Sequence, residues 1–109
     1  MNDAADPGAA ADPRQEMALT EAEVAQLLPT LPGWVGEGKA ITKIFRFRDH
    51  YETMAFVNAL AWISHRADHH PDLAVGYNEC KVSYTTHWLG GLGRKDFACA
   101  AKADALFLG

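Results

Sequence analysis

KAITKIFRFRDHYETMAFVNALAWISHRA, residues 39–67, changes its apolar period part-way along. From Lys39 to Arg48, Ile41, Phe45 and Phe47 lie on one face and Thr42, Arg46 and Arg48 on the other. That is the alternation of a half-buried strand, interrupted at Lys43 and Ile44. From Asp49 the period lengthens: Phe56, Leu60, Ile63 and Ala67 fall at helical spacing, with no Gly or Pro to about Ala67. Asp49 and Glu52 form a capping pair at the helix start. Tyr51, Val57 and Trp62 add apolar surface outside a single stripe, which predicts helix contacts on two sides.

Working outward, order begins at Leu19. Thr20 and Glu23 make a capping box, with Leu19 and Val24 as its hydrophobic staple, and Val24, Leu27 and Leu28 form one stripe. Pro29 and Pro32-Gly33 stop this short helix. Trp34-Val35 starts a strand that turns at Gly36-Glu37-Gly38 into the Lys39–Arg48 strand. On the other side, Pro71 disfavours helix at His70 and fixes an extended turn. Asp72–Gly76 reads as a strand, Tyr77-Asn78-Glu79 as a turn and Cys80–His87 as a strand with Val82, Tyr84 and Thr86 on one face. After Gly90-Gly91, Gly93 caps a last helix with Phe97, Ala101, Ala105 and Leu108 as its expected buried stripe. The order αββαββα predicts an α+β fold, helices layered on one antiparallel sheet.

The chain has 109 residues, 49% of them apolar, enough for one domain with a real core. Residues 1–17, rich in Ala, Asp, Pro and Gly, read as a disordered leader, leaving 18–109 as the domain. The leader carries four acids against one Arg, so most of the net charge of −4 belongs to it. This charge argues against a general nucleic-acid binder, and the Lys43–Arg48 run looks like the exposed side of a strand. No stretch approaches a membrane span or a secretory signal, and Cys80 and Cys99, without CxxC spacing, read as free thiols. A cytoplasmic protein is expected.

Four of the five histidines, His65, His69, His70 and His87, fall between positions 65 and 87. Three readings compete. They are helix-end and surface residues, since His65 and Arg66 suit a helix C-terminus. They are zinc ligands, with the His65/His69 pair joined by His87, although no HExxH motif is present. Or they move protons, as imidazole does in either direction near neutral pH.

Asp68-His69-His70-Pro71, Tyr77-Asn78, Thr86-His87, Gly91-Leu92 and Asp96, together with Leu31-Pro-Gly-Trp34, resemble the signature of the pterin-4a-carbinolamine dehydratases. The resemblance spans about residues 19–108. It implies a four-stranded antiparallel sheet with three helices on one face. It also implies dehydration of 4a-hydroxytetrahydropterins to quinonoid dihydropterins, in the recycling of the cofactor of aromatic amino acid hydroxylases. No metal and no organic cofactor are implied. Members form homodimers or homotetramers, and animal members also act as transcriptional coactivators through a partner protein. By this resemblance His69 and His87 are the acid–base pair, His70 chiefly holds the pterin, and Asp96 orients His87. Asp68 and Pro71 shape the turn, and Thr85 and Thr86 border the pterin ring. Two positions depart from the pattern: His65 stands where many relatives have an acid, and Gly93 where they often have Ser or Thr as helix cap.

Overall fold

Thr20 opens the first helix as its capping pair predicts. Its Oγ1 accepts from Glu23 N at 3.1 Å, and Glu23 Oε1 accepts from Thr20 N at 2.8 Å. The structure, a computed structural model, describes residues 17–107. The expected leader therefore lies outside the described residues apart from Met17, and so does Leu108. Seven elements follow: α1 (Glu21–Leu27), β1 (Val35–Glu37), β2 (Ala40–Arg46), α2 (His50–Ala67), β3 (Asp72–Val75), β4 (Glu79–Tyr84) and α3 (Arg94–Leu106). Short 3₁₀ turns occupy Leu28–Thr30 and His87–Leu89. The expected order αββαββα is the observed one.

The sheet is antiparallel throughout, in the order β1-β2-β4-β3. Opposed pairs Ile41–Tyr84, Lys43–Val82 and Phe45–Cys80 set the inner face, where all but Lys43 are essentially fully buried. Phe45 connects the layers: its ring lies 4.7 Å from Phe56 of α2 and 5.3 Å from Phe107 after α3. The α2 stripe is Thr53, Phe56, Leu60 and Ser64, with Ile63 and Ala67 on its flank. Two hydroxyls enter this apolar seam because local acceptors exist. Ser64 Oγ donates to the Leu60 carbonyl, and Thr53 Oγ1 reaches the carbonyls of Asp49 and Tyr77.

Three expectations are corrected. The α3 stripe is Phe97, Ala100 and Ala103, with Asp96 and Cys99, while Ala101 and Ala105 are exposed. Small alanines carry little orienting power, and the buried carboxylate of Asp96 turns the helix to its own side. The last strand stops at Tyr84, and His87 opens a 3₁₀ turn closed by Gly90 in the left-handed region. Tyr51 and Trp62, 82% and 61% exposed, make α2 one-sided within the chain.

Leu31 to Trp34 is a structural staple. Trp34 is buried and its Nε1 donates to both carboxylate oxygens of Asp104 at 3.1 Å, while Lys43 Nζ reaches Oδ1 at 2.9 Å. Gly33 has φ +90°, and a Cβ there would sit 3.1 Å from Lys43 Cε, so glycine suits this position twice over. Both edge strands, β1 and β3, are exposed along their length. No helix among the described residues is long and apolar enough to cross a membrane.

Candidate active site

α2 ends on a backbone event. Asp68 takes a left-handed conformation (φ 53°, ψ 42°) and its N–H returns to the His65 and Ser64 carbonyls. Aspartate tolerates this region better than most residues, and Pro71 then keeps the chain from resuming the helix. His69 therefore leaves the helix and does not share a face with His65. His65 is exposed on the last turn, its ring 6.4 Å from Trp62.

Released from the helix, His69 turns inward, its side chain only 13% exposed, and meets the first turn of α3. Its Nε2 lies 2.5 Å from Asp96 Oδ1. Asp96 is fully buried, and its other oxygen accepts from Thr86 Oγ1 at 2.7 Å and from Gly93 N at 2.8 Å. A carboxylate offers only acceptors, so in this contact Nε2 of His69 is the donor. The helix N-terminus adds favourable positive potential at Asp96. Orientation and helix capping are thus combined in one side chain. Asp96 contacts His69, however, where the resemblance implies His87. The reason is geometric: Thr86 points inward to the carboxylate, and its neighbour His87 is thrown outward and exposed.

Gly93 fits this arrangement. A Cβ there would come within 2.9 Å of Leu89 Cδ1, in the loop that carries His87. Thr85 is half-buried, its Oγ1 bonded to the Lys39 carbonyl at 2.5 Å. Together with His87, Ala40, Gly90 and Gly91 it lines a cleft of about 400 Å³. His70 is exposed beside His69, and Pro71 is partly buried. The structure thus joins His69, Asp96 and Thr86 by direct hydrogen bonds and places His87 next in the chain. Thr85 belongs to the cleft, and Asp68 to the backbone turn. A larger hollow of about 620 Å³ between Phe47, Phe56 and Phe107 opens at the opposite end of β2 and contains none of these histidines.

The family described as pterin 4 alpha carbinolamine dehydratase matches residues 17–106 in its sequence profile. The chain belongs to that family. A relative from Nitrosospira multiformis, provisionally named a pterin-4-alpha-carbinolamine dehydratase, is 61% identical over 89 residues, covering 82% of this chain and 79% of its own. One from Xanthomonas campestris with the same provisional name is 60% identical, covering 82% and 77%. A crystal structure described as a transcriptional coactivator/pterin dehydratase from Brucella melitensis superposes with a TM-score of 0.80 at 33% identity, over 83% of this chain and 98% of that one. A pterin dehydratase-like protein described as a RuBisCO assembly factor in the alpha-carboxysome gives 0.59 at 28% identity, over 70% and 88%. The family is named for a hydro-lyase, and the enzyme class follows from membership.

Within the dehydratase frame, the sequence missed Tyr84. Its ring is nearly parallel to the His69 imidazole, with centroids 5.8 Å apart and planes at 16°. The alternation that puts Val82, Tyr84 and Thr86 on one face was the available signal. Cys80 and Cys99 are free and buried, and burial raises both thiols above their ordinary range. Among the described residues, no group of three or more His, Cys, Asp or Glu side chains is arranged to hold a metal ion.

Proposed function

We propose that the chain dehydrates 4a-hydroxytetrahydropterins to quinonoid dihydropterins through its histidines. Loss of water requires a proton on the departing 4a-hydroxyl, cleavage of the C4a–O bond and removal of the N5 proton as the C4a=N5 bond forms. The contact that carries this reading is the one between buried Asp96 and His69. It keeps the proton on Nε2, leaves Nδ1 to accept one, and stabilises the imidazolium that results. His69 is accordingly the base, exposed His87 the acid, and His70 the group that holds the pterin, with Thr85 and Pro71 shaping the surroundings. Each positioned proton transfer typically contributes about 10²–10⁴-fold.

The family name and the names of its relatives support the substrate class. Recycling of tetrahydropterin for aromatic amino acid hydroxylation is the pathway that this product would serve. In this reading the catalytic domain falls within residues 18–109. The exposed edge strands and the aromatic face of α2 favour a homodimer or homotetramer, which light scattering would register. The test of activity is formation of quinonoid dihydropterin from freshly generated carbinolamine. Acceleration over buffer is expected, and none defeats the proposal.

A second reading, an interaction module on the same fold, is favoured by exposed Tyr51 and Trp62 and by the coactivator and assembly-factor descriptions of the two structural relatives. Capture of a stoichiometric protein partner by a protein inactive in the carbinolamine assay would favour it over the first.

A further inference from the structure

Behind His69 stands a column of aromatic rings. Tyr84 is fully buried and ends β4 on its inner face. Its stack on His69, 5.8 Å between centroids with planes at 16°, falls in the offset-parallel range that aromatic pairs prefer. Trp34 in turn lies 6.0 Å from Tyr84 at 38°, and Trp34 is pinned to α3 through Asp104. The imidazole is thus held by two independent contacts, a hydrogen bond from its Nε2 to Asp96 and a face contact with Tyr84.

The Tyr84 hydroxyl plays no visible part in this. It is buried without a well-formed hydrogen bond among the described residues, although Ser64, whose hydroxyl donates to the Leu60 carbonyl and keeps its acceptor lone pairs, is close enough to pull the phenol slightly downward. Burial, with Cys99 next in weight and Asp96 a smaller contributor, holds the phenol above its ordinary range and therefore neutral. The face of the ring is what reaches the site.

We propose that Tyr84 is a positioning residue for His69, its ring holding the imidazole in the plane where Nε2 meets Asp96 and Nδ1 is left open to exchange a proton. The catalytic consequence rests on the acid–base reading above, while the structural content does not. The test uses ¹⁵N-histidine-labelled full-length protein and its Tyr84→Phe, Tyr84→Leu and Tyr84→Met variants. Long-range ¹H–¹⁵N correlation reports which His69 nitrogen carries the proton, and carbinolamine turnover is measured in parallel. Wild type and Tyr84→Phe are expected to show one tautomer, protonated on Nε2, with equal turnover. Tyr84→Leu, or Tyr84→Met should the leucine variant not fold, is expected to show averaged tautomers and a kcat about ten- to a hundredfold lower, with KM little changed. A wild-type His69 signature and wild-type kcat in the folded non-aromatic variant would overturn the proposal. So would loss of the signature in Tyr84→Phe, since the hydroxyl would then be the active group. If wild type fails to turn over carbinolamine, the acid–base reading falls, and the tautomer spectra still decide the role of Tyr84.

Discussion

Asp96 and Asp104 sit on the same helix, both are hydrogen-bonded to side chains from elsewhere in the chain, and they do different work. Asp104 is 27% exposed and binds Lys43 Nζ and Trp34 Nε1. Both partners are donors only, so this carboxylate fastens the segment before β1 to α3. Asp96 is wholly buried, and two of its three partners, Thr86 and Gly93, are likewise plain donors. The third is an imidazole with a second nitrogen to spare. Similar anchoring therefore yields a staple at one end of α3 and, in the proposed mechanism, a proton-handling site at the other, and the difference lies in the partner's chemistry.

The largest effects should fall on the histidine side of this comparison. His69→Ala and His87→Ala are each expected to lower turnover by about 10²–10⁴-fold while the protein stays folded, as steady-state assays and circular dichroism would show. Full activity in either variant would remove that residue from its assigned role. On the staple side, Asp104→Ala should leave turnover unchanged and lower stability by about 1–2 kcal/mol. This is the scale of hydrogen bonds to a partly exposed charge, discounted for solvent screening, and denaturant unfolding reads it. A drop in kcat at constant stability would mean that the two ends of α3 are coupled.

A smaller effect concerns alkaline pH. Tyr84, Cys80 and Cys99 all have raised native values, chiefly through burial. Once the pH passes the ordinary thiol and phenol values, roughly 8.5 to 10, the unfolded chain releases protons that the folded chain retains. Stability is therefore fully present below that range and lost progressively as the pH climbs from it toward the raised native values. Tyr84→Phe should reduce the loss, because it removes one of the three groups. At neutral pH the same variant should be neutral to about 1 kcal/mol more stable, since it deletes an unpaired buried hydroxyl. Unfolding midpoints across that pH range check both statements, and an unchanged alkaline slope would contradict them.

Much of the architecture was legible because period and punctuation agree. The shift from alternation to helical spacing at Asp49 placed β2 and α2, and the Thr20–Glu23 box placed α1. The α3 face was not legible, because alanine on every side of a helix fixes no stripe, and the residue that orients this helix is a buried acid. The same kind of gap affected the site. The motif brought His69, His87, Thr86 and Asp96 to one end of the sheet, but which imidazole the carboxylate holds depends on rotamers and on the left-handed turn at Asp68. Spacing carries neither. Tyr84 escaped notice as a site residue because an aromatic on an inner strand face reads as core, and it is core as well.

In the proposed mechanism buried Asp96 keeps His69 in its proton-accepting tautomer, whereas Asp104 merely fastens. Carbinolamine turnover by Asp96→Asn, set against Asp104→Asn, tests it most directly. Asparagine keeps the shape at both positions and removes the charge. A folded Asp96→Asn protein is expected with kcat lower by on the order of 10²-fold or more, and an Asp104→Asn protein with wild-type kcat. Wild-type kcat in folded Asp96→Asn would contradict it.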